Sequence, residues 1–249
     1  MKIAAAQISA TVGAIEANLD AHYQMIAKAA AQEVDLIAFP EMSITGYCRE
    51  EGRSLAFDID DERLSPLQQL ADRHAISIIA GAPIAIEEKL YIGSFVFQAH
   101  APLQIYCKQY LHQGEDDFYD ASFAYDPILQ LKGESIGLAI CADIDNPAHP
   151  AKAQENGISL YVPSIFFSEK GISAGHQLLS QYAKRHQFCI LMSNYCGAHW
   201  QAQSGGRSAF WDANGNLISA LGPQHPGLLI VEKQAQTWQQ IYLSDLHYS

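Results

Sequence analysis

Two periodicities alternate along the first two thirds of the chain. Residues 2–9 are apolar enough for a strand. Residues 18–32 follow as an amphipathic helix, because Ile15, Leu19, Tyr23, Ile26 and Ala30 recur at three- and four-residue intervals. Residues 34–39 form a nearly unbroken apolar run, the pattern of a parallel strand buried on both faces. Pro40-Glu41 ends that run, and a loop over 42–53 carries Gly46 and Tyr47. Ser65-Pro66 opens a helix that reaches residue 74, with a capping serine ahead of a proline suited to the first turn. Strands are predicted over 76–83, 90–98 and 103–107, with Glu87-Glu88 in a turn, before a polar loop over 108–126. Lys132-Gly133-Glu134 joins strands at 128–131 and 135–141 as a hairpin. A helix start near Pro147 and a short helix over 150–156 come next, with Gly157 at the C-terminal end. A strand at 158–163, a helix at 175–187 with Leu178, Leu179 and Tyr182 on one side, and a strand at 188–194 complete the alternating part. Late strands at 207–212, 217–220 and 228–231 include a hairpin at Asn214-Gly215. From Lys233 the chain is amphiphilic, with Trp238, Tyr242 and Tyr248.

Strand–helix alternation followed by antiparallel pairs predicts an α/β fold of sheet layers covered by helices. No linker, repeat or low-complexity stretch interrupts it. Residues 1–249 are therefore expected as one domain, with 233–249 a tail packing on the body or on a partner subunit.

Composition narrows the function. Hydrophobic residues make up 49% of the 249 and charged residues 17%, below the usual ~25%, which implies much buried surface, in a large core or a subunit interface. A net charge of −12 argues against nucleic acid or an anionic membrane as partner. The five cysteines, Cys48, Cys107, Cys141, Cys189 and Cys196, are odd in number and contain no CxxC pair. Neither a disulfide framework nor a zinc site is indicated, and a reduced, cytoplasmic setting is expected. The first eight residues turn polar too soon for a signal peptide, and no run approaches the ~18–20 apolar residues of a spanning helix.

Three strand ends carry reactive side chains. Glu41 follows 34–39, Lys108 follows Ile105-Tyr106-Cys107, and Cys141 ends Gly137-Leu138-Ala139-Ile140-Cys141. Strand ends of layered α/β folds converge on one crevice, so a carboxylate, an ammonium and a thiol can meet there. A helix starting near Pro147 would lower the thiol pKa. Singly, each has an ordinary reading: a solvated loop acid, a solvated loop base, a core thiol. Tyr47 and Phe166 follow strands and either line a pocket or pack. Among ten histidines none makes a convincing HxxxH pair, and Ser204-Gly205-Gly206 lacks a following GKS/T, so no metal or phosphate site is predicted.

Together these segments resemble the nitrilase, or carbon–nitrogen hydrolase, superfamily. Asp35-Leu36-Ile37-Ala38-Phe39-Pro40-Glu41 through Thr45-Gly46-Tyr47 is similar to its glutamate signature. Tyr106-Cys107-Lys108 with Leu111 is similar to its lysine signature, and Ile140-Cys141-Ala142-Asp143 to its cysteine signature. The resemblance extends from Gln7 to Gly206-Arg207-Ser208 and Asp212-Ala213-Asn214-Gly215. It implies a four-layer αββα sandwich that forms a homodimer or higher homo-oligomer, needs no cofactor or metal, and acts on a small amide-type molecule. It also implies a catalytic Glu41, Lys108 and Cys141, with Glu115 matching a second family glutamate. Substrate would meet Tyr47, Phe166 and the backbone N–H at Ala142. The first-choice activity is hydrolysis of a small linear amide, ω-amidase-like, through a Cys141 thioester. N-carbamoyl hydrolysis or nitrile hydrolysis by the same triad, acyl transfer to an amine, and an idle binding or scaffold protein are the alternatives. The chain departs from the family pattern in having Ala142 for an aromatic, and Asp145 and Ala148 for an arginine and a glutamate. At a pocket rim Asp145 would favour cationic or neutral substrates. Glu41 and Lys108, placed in loops, are expected to be replaceable without unfolding the chain.

Overall fold

The computed structural model describes residues 1–235 and 237–245. In chain order the strands of the first half are β1 (Lys2–Gln7), β2 (Leu36–Ala38), β3 (Ser77–Ile86), β4 (Lys89–Phe97), β5 (Gln104–Cys107), β6 (Leu129–Leu131) and β7 (Glu134–Ile140). Those of the second half are β8 (Leu160–Ser164), β9 (Cys189–Met192), β10 (Ala198–His199), β11 (Ala202–Gln203), β12 (Ala209–Trp211), β13 (Leu217–Ala220), β14 (Gly227–Gln234) and β15 (Thr237–Asp245). The helices are α1 (Ile15–Ala31), the single turn α2 (Gly52–Leu55), α3 (Ser65–His74), α4 (Ala148–Glu155) and α5 (Ile172–His186).

Two large sheets result, ordered β15-β14-β1-β2-β3-β4-β5 and β13-β12-β9-β8-β7-β6, beside the small β10-β11 hairpin. Strands β1, β2 and β3 run parallel at the centre of the first sheet, and β7, β8 and β9 at the centre of the second. Alternate residues of each strand face opposite sides, and this alternation sorts the core into three apolar layers. Ile3, Ala5, Ile79 and Val231 meet Ile136, Leu138, Val162 and Leu191 between the sheets. The alternates Ala4, Ile37, Ile78 and Ile230 pack under Leu19 and Ile26 of α1 and Leu67 of α3. Ala139, Tyr161, Ile190 and Trp211 pack under Leu179 and Ala183 of α5. The architecture is the expected four-layer αββα sandwich.

Three local readings change. The buried stripe of α1 includes Asn18 and His22 as well as Leu19, Met25, Ile26 and Ala29, while Tyr23 and Ala30 are only partly buried. Hydropathy misses the two polar positions because their hydrogen bonds are made inside the protein. Asn18 Nδ2 donates to the Thr11 and Ile44 carbonyls, and the His22 ring bonds the Asn18 carbonyl and Ser43 Oγ. Second, Cys141 is not the last residue of a strand: β7 stops at Ile140, and Cys141–Asp145 forms a 3₁₀ turn. Third, Lys233 and Gln234 extend β14, and β15 lies antiparallel to it as the outermost strand of the first sheet. The Trp238 ring of β15 packs against Phe210, with centroids 5.1 Å apart and planes tilted by 50°. Tyr248 lies outside the described residues.

Candidate active site

The loops and turn that follow β2 and β5 of the first sheet and β7 of the second bring the three reactive side chains together across the gap between the sheets. Lys108 Nζ donates to Glu41 Oε1 at 2.7 Å and to Glu115 Oε1 at 2.9 Å. All three of those side chains are buried. The loop carrying Glu41 is held on several sides. Tyr195 Oη donates to the Glu41 carbonyl at 2.5 Å, and Ile44 N–H donates to the Gly81 carbonyl at 2.9 Å. Gly81 of β3 has no side chain because a Cβ there would stand 2.6 Å from the Met42 nitrogen. Met42 (φ 48°) and Cys141 (φ 42°) both adopt left-handed backbone, a strained conformation for side-chain-bearing residues that gathers at functional sites. At Cys141 it turns the chain sharply from β7 into the 3₁₀ turn.

Burial dominates the protonation states. It pushes the Glu41 carboxyl up to about 7, against the pull of the Lys108 ammonium, with Glu115 adding to the rise. Burial also pushes the Cys141 thiol well above its ordinary value, and Glu41 pushes it further; Lys108 and the Phe166 amide act the other way. A helix does start near Pro147, with Ala148 its first residue, but it does not acidify the thiol as expected, because desolvation of the thiolate outweighs the positive groups around it. Burial by itself would drag Lys108 down, but Glu41, Cys141 and Glu115 hold it well above its ordinary value.

The two glutamates differ in what occupies their oxygens. Glu115 Oε1 accepts from Lys108 and from Tyr47 Oη at 2.9 Å, and Glu115 Oε2 accepts from the His112 N–H at 2.7 Å. Glu41 Oε2 is buried without a hydrogen-bond partner, and the Cys141 thiol lies close enough to help hold Glu41 charged. The free acceptor thus stands beside the nucleophile.

These groups open onto a cavity of about 150 Å3 lined by Glu41, Tyr47, Arg49, His112, Glu115, Cys141, Phe166 and Trp200. Tyr47 and Phe166 both line it, with ring centroids 5.6 Å apart. Ala142 is buried next to Cys141 and is not among the residues that line the cavity. Asp145 is exposed and does not line it either. The charged side chain among the lining residues that the sequence reading overlooked is Arg49, whose Nε donates to Tyr47 Oη at 2.9 Å.

Asp143 locks the site from behind. It is fully buried, and its Oδ1 accepts the Gln109 and Tyr110 N–H groups at 2.9 and 2.8 Å. Its Oδ2 accepts Tyr106 Oη at 2.6 Å and the Ile140 N–H at 2.8 Å. One carboxylate therefore ties the chain just after Lys108 to the residue just before Cys141.

A family model described as carbon-nitrogen hydrolase matches residues 2–242. The chain belongs to the carbon–nitrogen hydrolase family. Among similar proteins, a 2-oxoglutaramate amidase of Bacillus subtilis is 24% identical over 83% of this chain and 80% of its own length. A hydrolase encoded in the pqqF 5' region of Pseudomonas protegens is 26% identical over 77% of this chain and 69% of its own. The chain is also 25% identical to a glutamine-dependent NAD(+) synthetase of Xanthomonas campestris pv. campestris, but spans only 44% of that protein's length. The amidase NitN of Nesterenkonia sp. AN1 superposes with a TM-score of 0.86 at 23% identity, covering 94% of this chain and 93% of that one.

In this carbon–nitrogen hydrolase, the parts of the site that sequence reasoning missed come from long-range pairing. Arg49 stands two residues after Tyr47 in a loop of mixed polarity, and Trp200 lies on the turn of the β10-β11 hairpin, in a stretch with no recognisable motif. Tyr47 is held by its N–H donating to His199 Nε2 at 3.0 Å, while His199 Nδ1 donates to the Ala10 carbonyl. No periodicity or spacing announces that pairing. Among the described residues no His, Cys, Asp and Glu cluster is arranged to hold a metal ion, and no helix is long and apolar enough to cross a membrane.

Proposed function

We propose that this chain hydrolyses a small linear amide through a thioester on Cys141. The observation that carries the reading is that Cys141 and Glu41 line one small cavity, while the buried Lys108 ammonium is bonded to the Glu41 carboxylate behind it. Glu41, raised to about 7, is matched to proton transfer near neutral pH. It takes the thiol proton as sulfur attacks the amide carbon, and passes that proton to the departing amine. In the second half it takes a proton from water, whose oxygen displaces the thiolate and frees the acid. Lys108 spends two of its three N–H donors on Glu41 and Glu115. The third, with the backbone N–H at Ala142, faces the oxyanion that forms on attack. Glu115 has three donors on it and serves to position Lys108 and Tyr47 rather than to move protons.

Relatives support the amide over other acyl substrates: they include a 2-oxoglutaramate amidase and a deaminated glutathione amidase. The Nesterenkonia amidase adopts the same fold, and in a glutamate-to-glutamine mutant of it the active-site cysteine carries covalent addition of the acetamide moiety of fluoroacetamide. Intact-protein mass spectrometry with a panel of amides, carbamoyl compounds and nitriles tests the proposal. An acyl adduct from amides, mapped to Cys141 and lost in Cys141→Ala, is the expected result. An adduct on another residue, or none from any amide together with no ammonia release, would remove it.

A further inference from the structure

We propose that His149 is a positioning residue for the Cys141 reaction: through the Tyr106 hydroxyl it fixes the Asp143 carboxylate, and with it the placement of Lys108 relative to Cys141. The inference rests on the thioester reading above and adds to that site a residue that does not line its cavity.

His149 is the second residue of α4 and is buried. Its Nε2 lies 2.8 Å from Tyr106 Oη and its Nδ1 2.7 Å from Tyr161 Oη. Both tyrosines and Asp143 are fully buried. The protons along this chain have one consistent direction. Asp143 already accepts three backbone N–H groups, and Tyr106 Oη donates its only proton to Asp143 Oδ2 at 2.6 Å. Tyr106 Oη can therefore only accept from His149, so Nε2 carries the ring proton. Burial lowers His149 below its ordinary value, against the pull of Asp143, so Nδ1 is bare and accepts from Tyr161 Oη. Tyr161 is in turn stacked on Phe188, with ring centroids 5.2 Å apart, which anchors the far end of the chain in the core.

What the chain fixes lies on both sides of the reacting groups. Tyr106 stands two residues before Lys108, and Gln109 and Tyr110, whose N–H groups Asp143 accepts, directly follow it. The remaining backbone bond takes the N–H of Ile140, the residue before Cys141. A donor on Tyr106 Oη strengthens the bond from Tyr106 to Asp143, because hydrogen bonds in series polarise one another. Without it the Tyr106 hydroxyl is free to turn, and Tyr161 loses its acceptor inside the core. Lys108 serves an oxyanion that exists only during reaction, so a displacement of Lys108 from Cys141 falls on kcat before it falls on KM.

The test measures kcat and KM for butyramide in wild type, His149→Gln, His149→Met, Tyr106→Phe and the Tyr106→Phe/His149→Met double variant. His149→Met removes the donor and should lower kcat by about 10- to 100-fold with KM changed by less than about threefold. His149→Gln keeps an N–H donor and an acceptor and should recover most of that loss. Tyr106→Phe cuts the same chain one link nearer Asp143, so adding His149→Met to it should cost little more, whereas independent sites would multiply. Full kcat in His149→Met at a lowered Tm makes His149 a packing residue and overturns the proposal. Equal losses in the Gln and Met variants, or multiplied losses in the double variant, overturn it as well. Long-range nitrogen–proton NMR on labelled wild type needs no variant to fold: it should show the Nε2–H tautomer at His149, and the Nδ1–H tautomer would reverse the chain and sink the proposal. If wild type leaves butyramide intact, that result bears on the hydrolase reading, and the same variants are compared by the rate at which iodoacetamide alkylates Cys141. His149→Met should then react more slowly than wild type and His149→Gln close to it; equal rates in all three would remove His149 from the site.

Discussion

At the scale of single residues, the chemistry turns on which oxygen is free and which thiol is open. Cys141 is the one cysteine of the five that is not fully buried. A limiting amount of iodoacetamide should therefore label Cys141 first and abolish turnover in step; labelling elsewhere at full activity loss would break the assignment. Glu41→Gln keeps the carbonyl that accepts from Lys108 but removes the base, and should cost about 10²- to 10⁴-fold in kcat. Because Glu41 must be ionised to accept the thiol proton, and burial raises it to about 7, kcat/KM should rise with pH up to about 7 and then level. A limb near the ordinary carboxylate value of 4.5 would show that the base is not Glu41 in this environment. Lys108→Met should lower kcat by ~10²-fold or more while KM changes little. The side chain is fully buried between two carboxylates, which corrects the expectation of a tolerant loop residue. Removing it leaves those charges uncompensated, so the variant should also lose roughly 3–5 kcal/mol of stability, measurable by denaturant titration.

At the scale of elements, the site exists because loops that leave two different sheets are tied to each other. The Asp143 carboxylate joins the end of β5 to the end of β7 through four hydrogen bonds. Asn18 and His22 join α1 to the loop that follows Glu41. Asp143→Ala should strand three backbone N–H groups in a buried place, at ~1–3 kcal/mol each. The expected loss is at least about 3 kcal/mol, or roughly 6–12 °C in Tm by scanning calorimetry. A shift of under about 2 °C would mean that water or relaxation takes over its role. The Asp143 segment was visible in the sequence as part of a signature, but its partners Gln109 and Tyr110 were not. They lie more than thirty residues away, and nothing in local propensity encodes that contact.

At the scale of the molecule, buried neutral histidines set the acid limit. Burial lowers His22 and His199 from 6.5 to about 4, opposed in each case by a backbone carbonyl. Each ring donates one N–H to a carbonyl, so a second proton on His199 breaks the contact from the Tyr47 N–H, while on His22 it is opposed by burial of the charge, the Ser43 hydroxyl being able to turn and accept. The unfolded chain takes up these protons first as pH falls below 6.5. Their stabilisation is full above pH 6.5 and is lost as pH falls to about 4. Glu41 works in the opposite sense, its raised carboxyl favouring the folded chain at low pH and losing that contribution between 4.5 and about 7. Each displacement of this size amounts to ~3 kcal/mol, and two histidines outweigh one glutamate. Stability measured by urea titration should therefore fall by about 3 kcal/mol between pH 6.5 and pH 4. A flat or rising profile would place the histidines in less buried sites.

Sequence periodicity by itself determined the strands and helices of a layered α/β fold and put Glu41, Lys108 and Cys141 at strand ends, because apolar runs and amphipathic spacing act locally. The four-layer sandwich and the proposed catalytic roles of those three residues and Glu115 came from the motif resemblance. The tertiary structure decided what those residues experience. Burial, set by how two sheets close on each other, raised the Cys141 thiol where a helix terminus had been expected to lower it. The same closure brought Arg49 and Trp200 to the cavity and left Asp145 outside it. Charge–charge distances and desolvation depend on which distant segments meet, and a one-dimensional pattern carries that information only where a motif has already been tied to a place in three dimensions.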